Sequence, residues 1–366
     1  MNLKPDEDLE LIADTAKRFG QEILAPKMRE AEAKRCVDDE TRNAFQEIGL
    51  ASLEWPEDAD GAGLGSVARV LVNEELGAAD AGAAIALDEL GPALYPILEM
   101  GGDLRSLTHA NSLRDSGRSG GGENERTLLV TNFDGHLQFE KDRVSGLIPW
   151  VPANHAASIV VLAGDQAAVL RSGFSFDPIR GAGLRAAGAS ELRIVDAETE
   201  RLLVDPAGAG RARARARLYV ASLLLGVMRA ACDFSREYAK ERKAFGKPIG
   251  HHQALAFLMA DMQMALDGAR LLVHDAAWRV DQGLACESAA ASAYAECIDA
   301  SRLIGPSGVQ ILGGHGFMAD YPVEKHMREG RALGLLFGGF DAAVEEAGRL
   351  VCASDSPLEI GRGGAV

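Results

Sequence analysis

The chain has 366 residues, with 38 lysines and arginines against 54 aspartates and glutamates, so its formal net charge is −16. A balance this acidic argues against nucleic acid as a partner, because phosphate binding requires a basic surface. No stretch approaches 18 uninterrupted apolar residues, so we expect no membrane-spanning helix. Five cysteines without a CxxC spacing predict reduced thiols rather than a disulfide framework or a metal site. Because the N-terminus has an acidic amphipathic pattern rather than that of a signal peptide, we expect a cytoplasmic protein.

The spacing of apolar residues divides the chain into three parts. Residues 1–112 predict a helical domain, and the Gly/Ser-rich residues 113–126 predict a flexible linker. Short β-rich runs in residues 127–208 predict a small barrel or sandwich. Residues 209–354 predict a four-helix bundle, followed by a tail at residues 355–366. The expected fold class is therefore α+β, with a small β domain between two helical domains.

The bundle helices are predicted from their apolar faces. They cover residues 217–242, 252–282 and about 286–304, and a fourth begins near Pro322. Gly305-Pro306 is predicted to be a turn between helices.

Three motifs, in order along the chain, carry a family resemblance. The first is WPE at residues 55–57, followed by Gly61 to Gly65 and by EELGAAD. The second is ERKAFGKPI at residues 241–249, followed by HQ and ADM. The third is QILGGHGF at residues 310–317, followed by YPVEK and Arg328. Together they resemble the acyl-CoA dehydrogenase family of flavoproteins over nearly the whole chain. The resemblance implies tetramers built as pairs of dimers, with FAD as cofactor. It also implies oxidation of the α,β bond of an acyl-CoA: a carboxylate removes the α-proton while the β-hydride passes to FAD.

Several residues match positions that bind the cofactor in this family. The guanidinium of Arg242 is a fork suited to a pyrophosphate, and Gly313 and Gly314 allow a close backbone approach. The resemblance implies that this set acts on the flavin of the neighbouring subunit, and that a tryptophan flanks the ring in the chain's own β domain. The expected cofactor-binding residues are Arg242, Phe245, Gln253, Gln310, Gly313, Gly314 and Trp150.

Both family positions for the catalytic base hold residues that cannot accept a proton. Phe337 stands where the commonest members carry glutamate, and Gly339 replaces a threonine that helps to hold the flavin. A minority of members carry the acid directly before a bundle arginine; that arginine matches Arg217, and Ala216 precedes it. We expect Arg217 to contact substrate, and the rest of the arginine run 211–217 to be solvated ahead of the helix.

The β domain also lacks groups that bind the flavin in the family. A loop that binds the isoalloxazine in the family is missing, because Thr131 to His136 pass directly into the next strand. A flavin-contacting threonine is replaced by Pro152, which has neither an N–H nor a hydroxyl group.

Groups that a subunit uses on its own flavin are thus missing, whereas groups that it donates to a neighbour are present. This pattern favours the base-lacking subunit of a heteromeric acyl-CoA dehydrogenase, with a catalytic paralogue as partner in an α2β2 assembly. Paired-subunit enzymes of bacterial steroid side-chain catabolism have such a subunit. Two alternatives stay open: a self-sufficient flavoenzyme with another base, for which Asp233 and Asp341 are candidates, or a cofactor-free binding or scaffold protein.

Overall fold

The computed structural model describes residues 5–104, 107, 126–133 and 135–353. The predicted tail, and the predicted linker except for Arg126, lie outside these residues. Within the described parts of the chain, an N-terminal helical domain, a β domain and a C-terminal helical domain follow one another, which confirms the predicted fold class.

The N-terminal domain is built around one long helix. The helices are α1 (Glu7–Phe19), continued by a π-helical turn (Gly20–Leu24), α2 (Ala25–Lys34), α3 (Asp39–Glu47), α4 (Ser66–Leu87) and α5 (Leu94–Glu99). The carboxylates of Asp6 and Asp38 cap α1 and α3 by accepting hydrogen bonds from backbone N–H groups of the first turn. α4 is buried along most of its length, and its backbone leaves helical geometry at Asp80.

The β domain consists of two four-stranded sheets. The strands are β1 (Thr127–Thr131), β2 (Leu137–Glu140), β3 (Arg143–Val151), β4 (Ser158–Ala163), β5 (Gln166–Leu170), β6 (Phe174–Pro178), β7 (Ser190–Glu198) and β8 (Arg201–Val204). One sheet has the order β1-β4-β5-β8 and the other β2-β3-β7-β6. β1 runs parallel to β4, with Thr127 beside Ser158, and every other neighbouring pair is antiparallel. A common apolar core, which includes Val144, Ile159 and Leu192, fills the space between the sheets.

In the C-terminal domain, the helices predicted at residues 217–242 and about 286–304 are longer than the sequence predicts, whereas the one predicted at 252–282 has nearly its predicted bounds. The helices are α6 (Pro206–Glu241), α7 (Gln253–Asp281), α8 (Glu287–Leu312), α9 (Val323–Leu333) and α10 (Gly339–Ala353), with a short hairpin of β9 (Lys243–Ala244) and β10 (Lys247–Pro248) after α6. The predicted turn at Gly305-Pro306 is wrong, because Pro306 lies inside α8. By length and composition alone α6 could cross a membrane, yet 78% of its apolar window is buried inside the protein, as expected of a core helix.

The run of arginines lies inside α6 and is ion-paired, which corrects the prediction of a solvated segment ahead of the helix. Arg211 and Arg215 both contact Glu99, at 2.7 and 2.6 Å, whereas Arg213 and Arg217 both contact Glu346 of α10, at 3.5 and 2.6 Å. Residues four apart share a helix face, so a two-residue spacing produces two rows on opposite sides of α6. The rows join α6 to the N-terminal domain on one side and to the last helix on the other.

A buried triad joins the kink in α4 to α9. Lys325 Nζ lies 3.0 Å from Asp80 Oδ1 and also donates to the Glu329 carboxylate. All three side chains are buried, and one oxygen of each carboxylate has no hydrogen-bond partner. Burial raises the pKa of Glu329 to about 7; the nearby Lys325 ammonium opposes this shift, and the Asp80 carboxylate adds to it.

This triad predicts a pH-dependent stability. Folding raises the pKa of Glu329 from 4.5 to about 7. The contribution of this residue to the free energy of unfolding is therefore present at low pH and is lost as the pH rises through 7. Between pH 6 and pH 8, we expect the free energy of unfolding of the wild type to fall by about 1 kcal/mol more than that of Glu329→Gln. Urea denaturation at both pH values measures this difference, and an equal pH dependence in the two proteins would contradict the assignment.

The pair between Arg217 and Glu346 gives a second prediction. Arg217 is 1% exposed, so Glu346→Gln leaves its guanidinium buried without a carboxylate and should lower the free energy of unfolding by about 3 kcal/mol. The control is Glu345→Gln, because Glu345 is exposed and forms no ion pair with the described residues. That variant should stay within about 0.5 kcal/mol of the wild type. Equal effects of the two substitutions would show that the buried pair is dispensable.

Candidate functional site

A cleft of about 410 Å³ opens between the β domain and the C-terminal helices. One wall is formed by the ends of β1 and β3, including Val130 and Trp150, and the other by the segment between α9 and α10. Arg302 of α8 also lines the cleft, with its guanidinium carbon 4.6 Å from the centre of the Phe340 ring. The predicted flavin-flanking residue Trp150 therefore faces an open cleft beside the expected position of the base.

Phe337 lies in the wall of this cleft, in a backbone conformation that few non-glycine residues adopt. Its φ angle is +50°, and the two glycines that follow, Gly338 and Gly339, have φ angles of +89° and +61°. Three consecutive residues in the left-handed region form a sharp turn between α9 and α10, and two of them are glycines as that region favours. The turn fixes an aromatic ring at the position where the sequence resemblance leads us to expect a catalytic carboxylate.

Behind Phe337 only a small cavity remains. Its volume is about 30 Å³, and it lies between α4, α6 and β1. Two hydrogen bonds lie beside this cavity. The Tyr219 hydroxyl donates to Asp88 Oδ2 at 3.0 Å, and Arg126 Nη1 donates to the carbonyl of Pro152 at 2.9 Å. Burial raises the pKa of Asp88, with the nearby Arg69 guanidinium acting in the opposite direction. A space of this size holds about one water molecule and no acyl chain.

The 410 Å³ cleft fits a flavin ring poorly. Trp150 offers an aromatic wall, but Pro152 has no N–H to donate, and its carbonyl already accepts from Arg126. Ala216, the other family position for a base, is fully buried within α6. Of the described residues that line this cleft, Asp341 is the sole carboxylate.

A second, more polar cleft of about 500 Å³ adjoins the first and shares Phe133, Gly338 and Asp341 with it. It lies beside the short connection between β1 and β2, where the sequence predicts a deleted loop. Arg213 lines this cleft, whereas Arg217 lines neither one. Arg217 instead pairs with Glu346 beneath the ring of Phe133, with 5.3 Å between the guanidinium carbon and the ring centre. The structure thus gives a protein partner to the guanidinium that the sequence assigns to substrate.

The other predicted cofactor residues lie at the far end of the C-terminal domain and are exposed. Arg242 ends α6, Gln253 begins α7, and Phe245 is 95% exposed at the tip of the β9–β10 hairpin. No carboxylate of the described residues lies within ion-pair distance of Arg242. This end therefore presents an unneutralised guanidinium and an exposed aromatic ring to the outside.

An aromatic cluster holds Gly313 and Gly314 beside this end of α6. The Tyr238 hydroxyl and His315 Nδ1 are 2.8 Å apart, and the His315 ring stacks on Tyr321 with ring centres 4.9 Å apart. Gly313 has a φ angle of +59°, and an added Cβ on either glycine would meet no atom within 4 Å, so the backbone is open to a ligand.

The structure therefore separates the predicted residues into two groups. Trp150 faces the cleft, whereas Arg242, Phe245, Gln253, Gln310 and the two glycines do not line it. Arg302 and Gln310 belong to the same helix, and eight residues at 1.5 Å per residue place them about 12 Å apart along its axis. One chain thus carries two groups of candidate site residues, here called the two half-sites, that face different surroundings.

The sequence does not predict which polar residues lie behind Phe337 and beneath Phe133. Glu346, Asp88, Tyr219 and Arg126 carry no motif signal, because their partners are distant in the chain. Asp233, considered as an alternative base, is paired with Arg236 and lines neither cleft, whereas Asp341 lines both.

Comparisons with known proteins agree with this architecture. The N-terminal domain of acyl-CoA dehydrogenases matches residues 6–104, and the C-terminal domain matches residues 209–344. The chain is 26% identical to the probable acyl-CoA dehydrogenase YngJ of Bacillus subtilis (strain 168), over 91% of this chain and 95% of that protein.

Two solved structures share the fold. Butyryl-CoA dehydrogenase from Megasphaera elsdenii aligns with a TM-score of 0.78 at 24% identity, over 96% of this chain and 100% of that one. A Tcur3481-Tcur3483 steroid ACAD variant aligns with a TM-score of 0.80 at 22% identity, over 94% and 98%. With both of its helical domains matched, the chain belongs to the acyl-CoA dehydrogenase family.

Proposed function

We propose that this chain is the base-lacking subunit of a heteromeric, FAD-dependent acyl-CoA dehydrogenase. The observation that carries the proposal is the separation of the two half-sites. The cleft has a phenylalanine in place of the base, whereas the exposed group of Arg242, the two glutamines and the two glycines does not line it.

The cleft side supports a non-catalytic role. Phe337 cannot take an α-proton, and the cavity behind it is too small for an acyl chain. Asp88, Tyr219 and Arg126 form buried hydrogen bonds at one side of that space, and apolar side chains such as Ile85 and Leu129 form the rest of its wall. Acyl-CoA would therefore bind on the partner subunit.

The exposed side supports a donating role. In the described part of the chain no carboxylate pairs with Arg242, so its guanidinium can bind the pyrophosphate of a flavin held mainly by the partner. Gly313 and Gly314 allow a close backbone approach, and Gln253 and Gln310 would add hydrogen bonds. The bound flavin would supply the hydride acceptor.

The name of one structural neighbour supports the same proposal. It joins two proteins, Tcur3481 and Tcur3483, in one steroid ACAD. On this basis we extend the proposal to an α2β2 assembly and to acyl-CoA substrates with bulky groups such as steroid side chains.

Co-expression with a paralogue from a neighbouring gene tests the proposal. The paralogue should carry Tyr-Glu-Gly-Thr, or an acid before its bundle arginine. The chain alone should be colourless, and the complex should be yellow and oxidise acyl-CoA. Arg242→Ala should weaken FAD binding by the complex about 10- to 100-fold, because a charge-assisted hydrogen bond contributes about 1.5–3 kcal/mol.

Arg236→Ala is the matched control, because Arg236 is also half-exposed on α6 but is paired with Asp233. It should leave FAD binding unchanged. A yellow lone chain that reduces its flavin with acyl-CoA would overturn the proposal. Equal effects of Arg236→Ala and Arg242→Ala on FAD binding would contradict the proposed role of Arg242.

A self-sufficient enzyme is a second candidate, which the position of Asp341 favours. Asp341 lies in the first turn of α10 and lines both clefts. If it is the base, Asp341→Asn should lower kcat of the lone chain by at least about 100-fold, with Glu345→Gln as the control from the same polar cleft. Under the heteromeric proposal, the complex should keep its activity with Asp341→Asn.

A further inference from the structure

Two arginines at the junction of the N-terminal and β domains have no carboxylate partner in the described part of the chain. They are Arg42, on α3, and Arg126, directly before β1. Other arginines of the interior differ in this respect, because Arg69, Arg215 and Arg217 each form ion pairs with buried or half-buried carboxylates. The two unpaired arginines therefore require a separate explanation.

The guanidinium of Arg42 is removed from solvent, since the residue is 5% exposed. Its Nη1 donates to the carbonyl of Ala86 at 3.0 Å, whereas its Nε is buried and has no hydrogen-bond partner. A carbonyl oxygen accepts a hydrogen bond but carries no net charge to oppose that of the guanidinium. Because burying a charge without a counter-charge is costly, Arg42 is expected to have a counter-ion.

Arg126 adds a second positive charge at the same place. Its Nη1 donates to the carbonyl of Pro152 at 2.9 Å, which again satisfies one N–H group and not the charge. Burial lowers the pKa of the Arg126 guanidinium to about 10. A group with this pKa is still protonated at neutral pH, so both cations are present when the protein is folded.

The Asp88 carboxylate does not neutralise Arg126. Both residues line the cavity of about 30 Å³ behind Phe337, but Asp88 is not within ion-pair distance of Arg126. Asp88 pairs instead with Arg69, 3.4 Å away, and it also accepts hydrogen bonds from Tyr219 and from a backbone N–H group. Arg126 therefore keeps a positive charge that can act on its other side.

On that other side, Arg42 and Arg126 line one small cavity of about 20 Å³. Asn154 and His155, in the segment after β3, line it as well, and none of the described residues around it is acidic. A histidine adds no negative charge in either protonation state, and a guanidinium offers donors and no acceptor. The cavity thus combines two cations with no anion from the described chain.

The size of this cavity limits what can occupy it. About 20 Å³ holds one particle of the size of a water molecule or a chloride ion, and it is too small for a phosphate or a sulfate. A water molecule would accept hydrogen bonds but would leave both charges without a counter-charge. The occupant that meets both requirements is a small monovalent anion.

We propose that a halide ion, of which chloride is the common biological example, binds between Arg42 and Arg126. The ion joins α3 of the N-terminal domain to the start of β1, so it fastens two domains together. Through Arg126 it also steadies Pro152, which lines the 410 Å³ cleft. The site is separate from both half-sites, because none of the expected cofactor residues lines this cavity.

The first test measures the thermal stability of the full chain in chloride and in gluconate, an anion too large for the cavity. At equal ionic strength of about 200 mM, chloride should raise Tm by at least about 3 °C. The increase should also saturate as chloride replaces gluconate, as expected of one binding site rather than of general screening.

Two variants locate the effect. Arg42→Met keeps an unbranched apolar side chain and removes the charge, so its Tm should be the same in chloride and in gluconate. Arg185→Met is the matched control, because Arg185 lies beside the same cavity, at the start of the turn formed by residues 185–187, but is paired with Glu32. This control should keep the full dependence on chloride.

A crystal of the wild type soaked in bromide tests the site even if Arg42→Met does not fold. Bromide scatters anomalously, and we expect one anomalous peak between the two guanidiniums. A wild type that is equally stable in chloride and gluconate and shows no such peak would refute the halide site. A chloride effect that persists in Arg42→Met would assign the ion to another place.

The remaining outcome concerns a carboxylate of the chain itself. Glu125 precedes Arg126 and lies outside the described residues. If chloride has no effect and Glu125→Gln lowers Tm, this carboxylate neutralises the arginines and the proposal is wrong. Because Tm and anomalous scattering of the lone chain do not involve flavin, these results are independent of the proposed catalytic partnership.

Discussion

The organisation of the molecule depends on the spacing of four arginines along its central helix. Residues two apart point to opposite sides of an α-helix, and residues four apart point to the same side. Arg211 and Arg215 therefore meet at Glu99 of the N-terminal domain, whereas the other two arginines meet at Glu346 of α10. Each acid bridges a pair of cations, so that α6 is fixed between elements far apart in the sequence. Ion pairs of this kind specify an arrangement more than they stabilise it.

The same arrangement determines what the cleft can do. Glu346 holds α10 against α6, and the turn that leads into α10 carries Phe337. Because this turn is left-handed over three residues, the ring has little freedom to leave the wall of the cleft. On the other side of the ring only a cavity of about 30 Å³ is left, which is lined by apolar side chains and by the paired Tyr219 and Asp88. Replacing the phenylalanine by an acid would therefore not by itself recreate a substrate site.

The sequence predicts the order of the domains and the position of the exposed motif well, because both depend on local patterns. The glycines at 313 and 314 and the arginine at 242 could be placed from motif spacing alone. The individual strand β6 gives little signal in the sequence, since it is a short edge strand whose residues are mostly exposed. The turn predicted at Gly305-Pro306 is wrong for a different reason, because α8 continues through Pro306. The helix packs closely against Met327 at Gly305, where an added Cβ would be 3.1 Å from the Met327 Cα. Tertiary packing there outweighs the local preference of proline.

The arginine pairs and the hydrogen bond between Tyr219 and Asp88 could not be predicted, because each joins residues more than 100 positions apart. No local periodicity reports such a contact. The same limit explains why Arg217 could be assigned to a substrate: the motif identifies the arginine, but only the fold shows that Glu346 already neutralises it. Position in a motif thus predicts where a group lies better than it predicts whether the group is free to bind.

That distinction is what gives Arg242 its significance. The α6 arginines that face the interior are neutralised by carboxylates, as buried cations must be. Arg242 ends the same helix, where a cation also interacts favourably with the helix dipole, and this effect alone would account for a basic residue there. The helix dipole would not account for the open glycines beside Arg242 or for the almost fully exposed phenylalanine at the hairpin tip. A cation, an open backbone and an exposed ring together match the chemistry of a nucleotide-like anion, and neither of the two clefts described above includes them. Under the proposed function, the ligand that they suit is held mainly by the partner subunit.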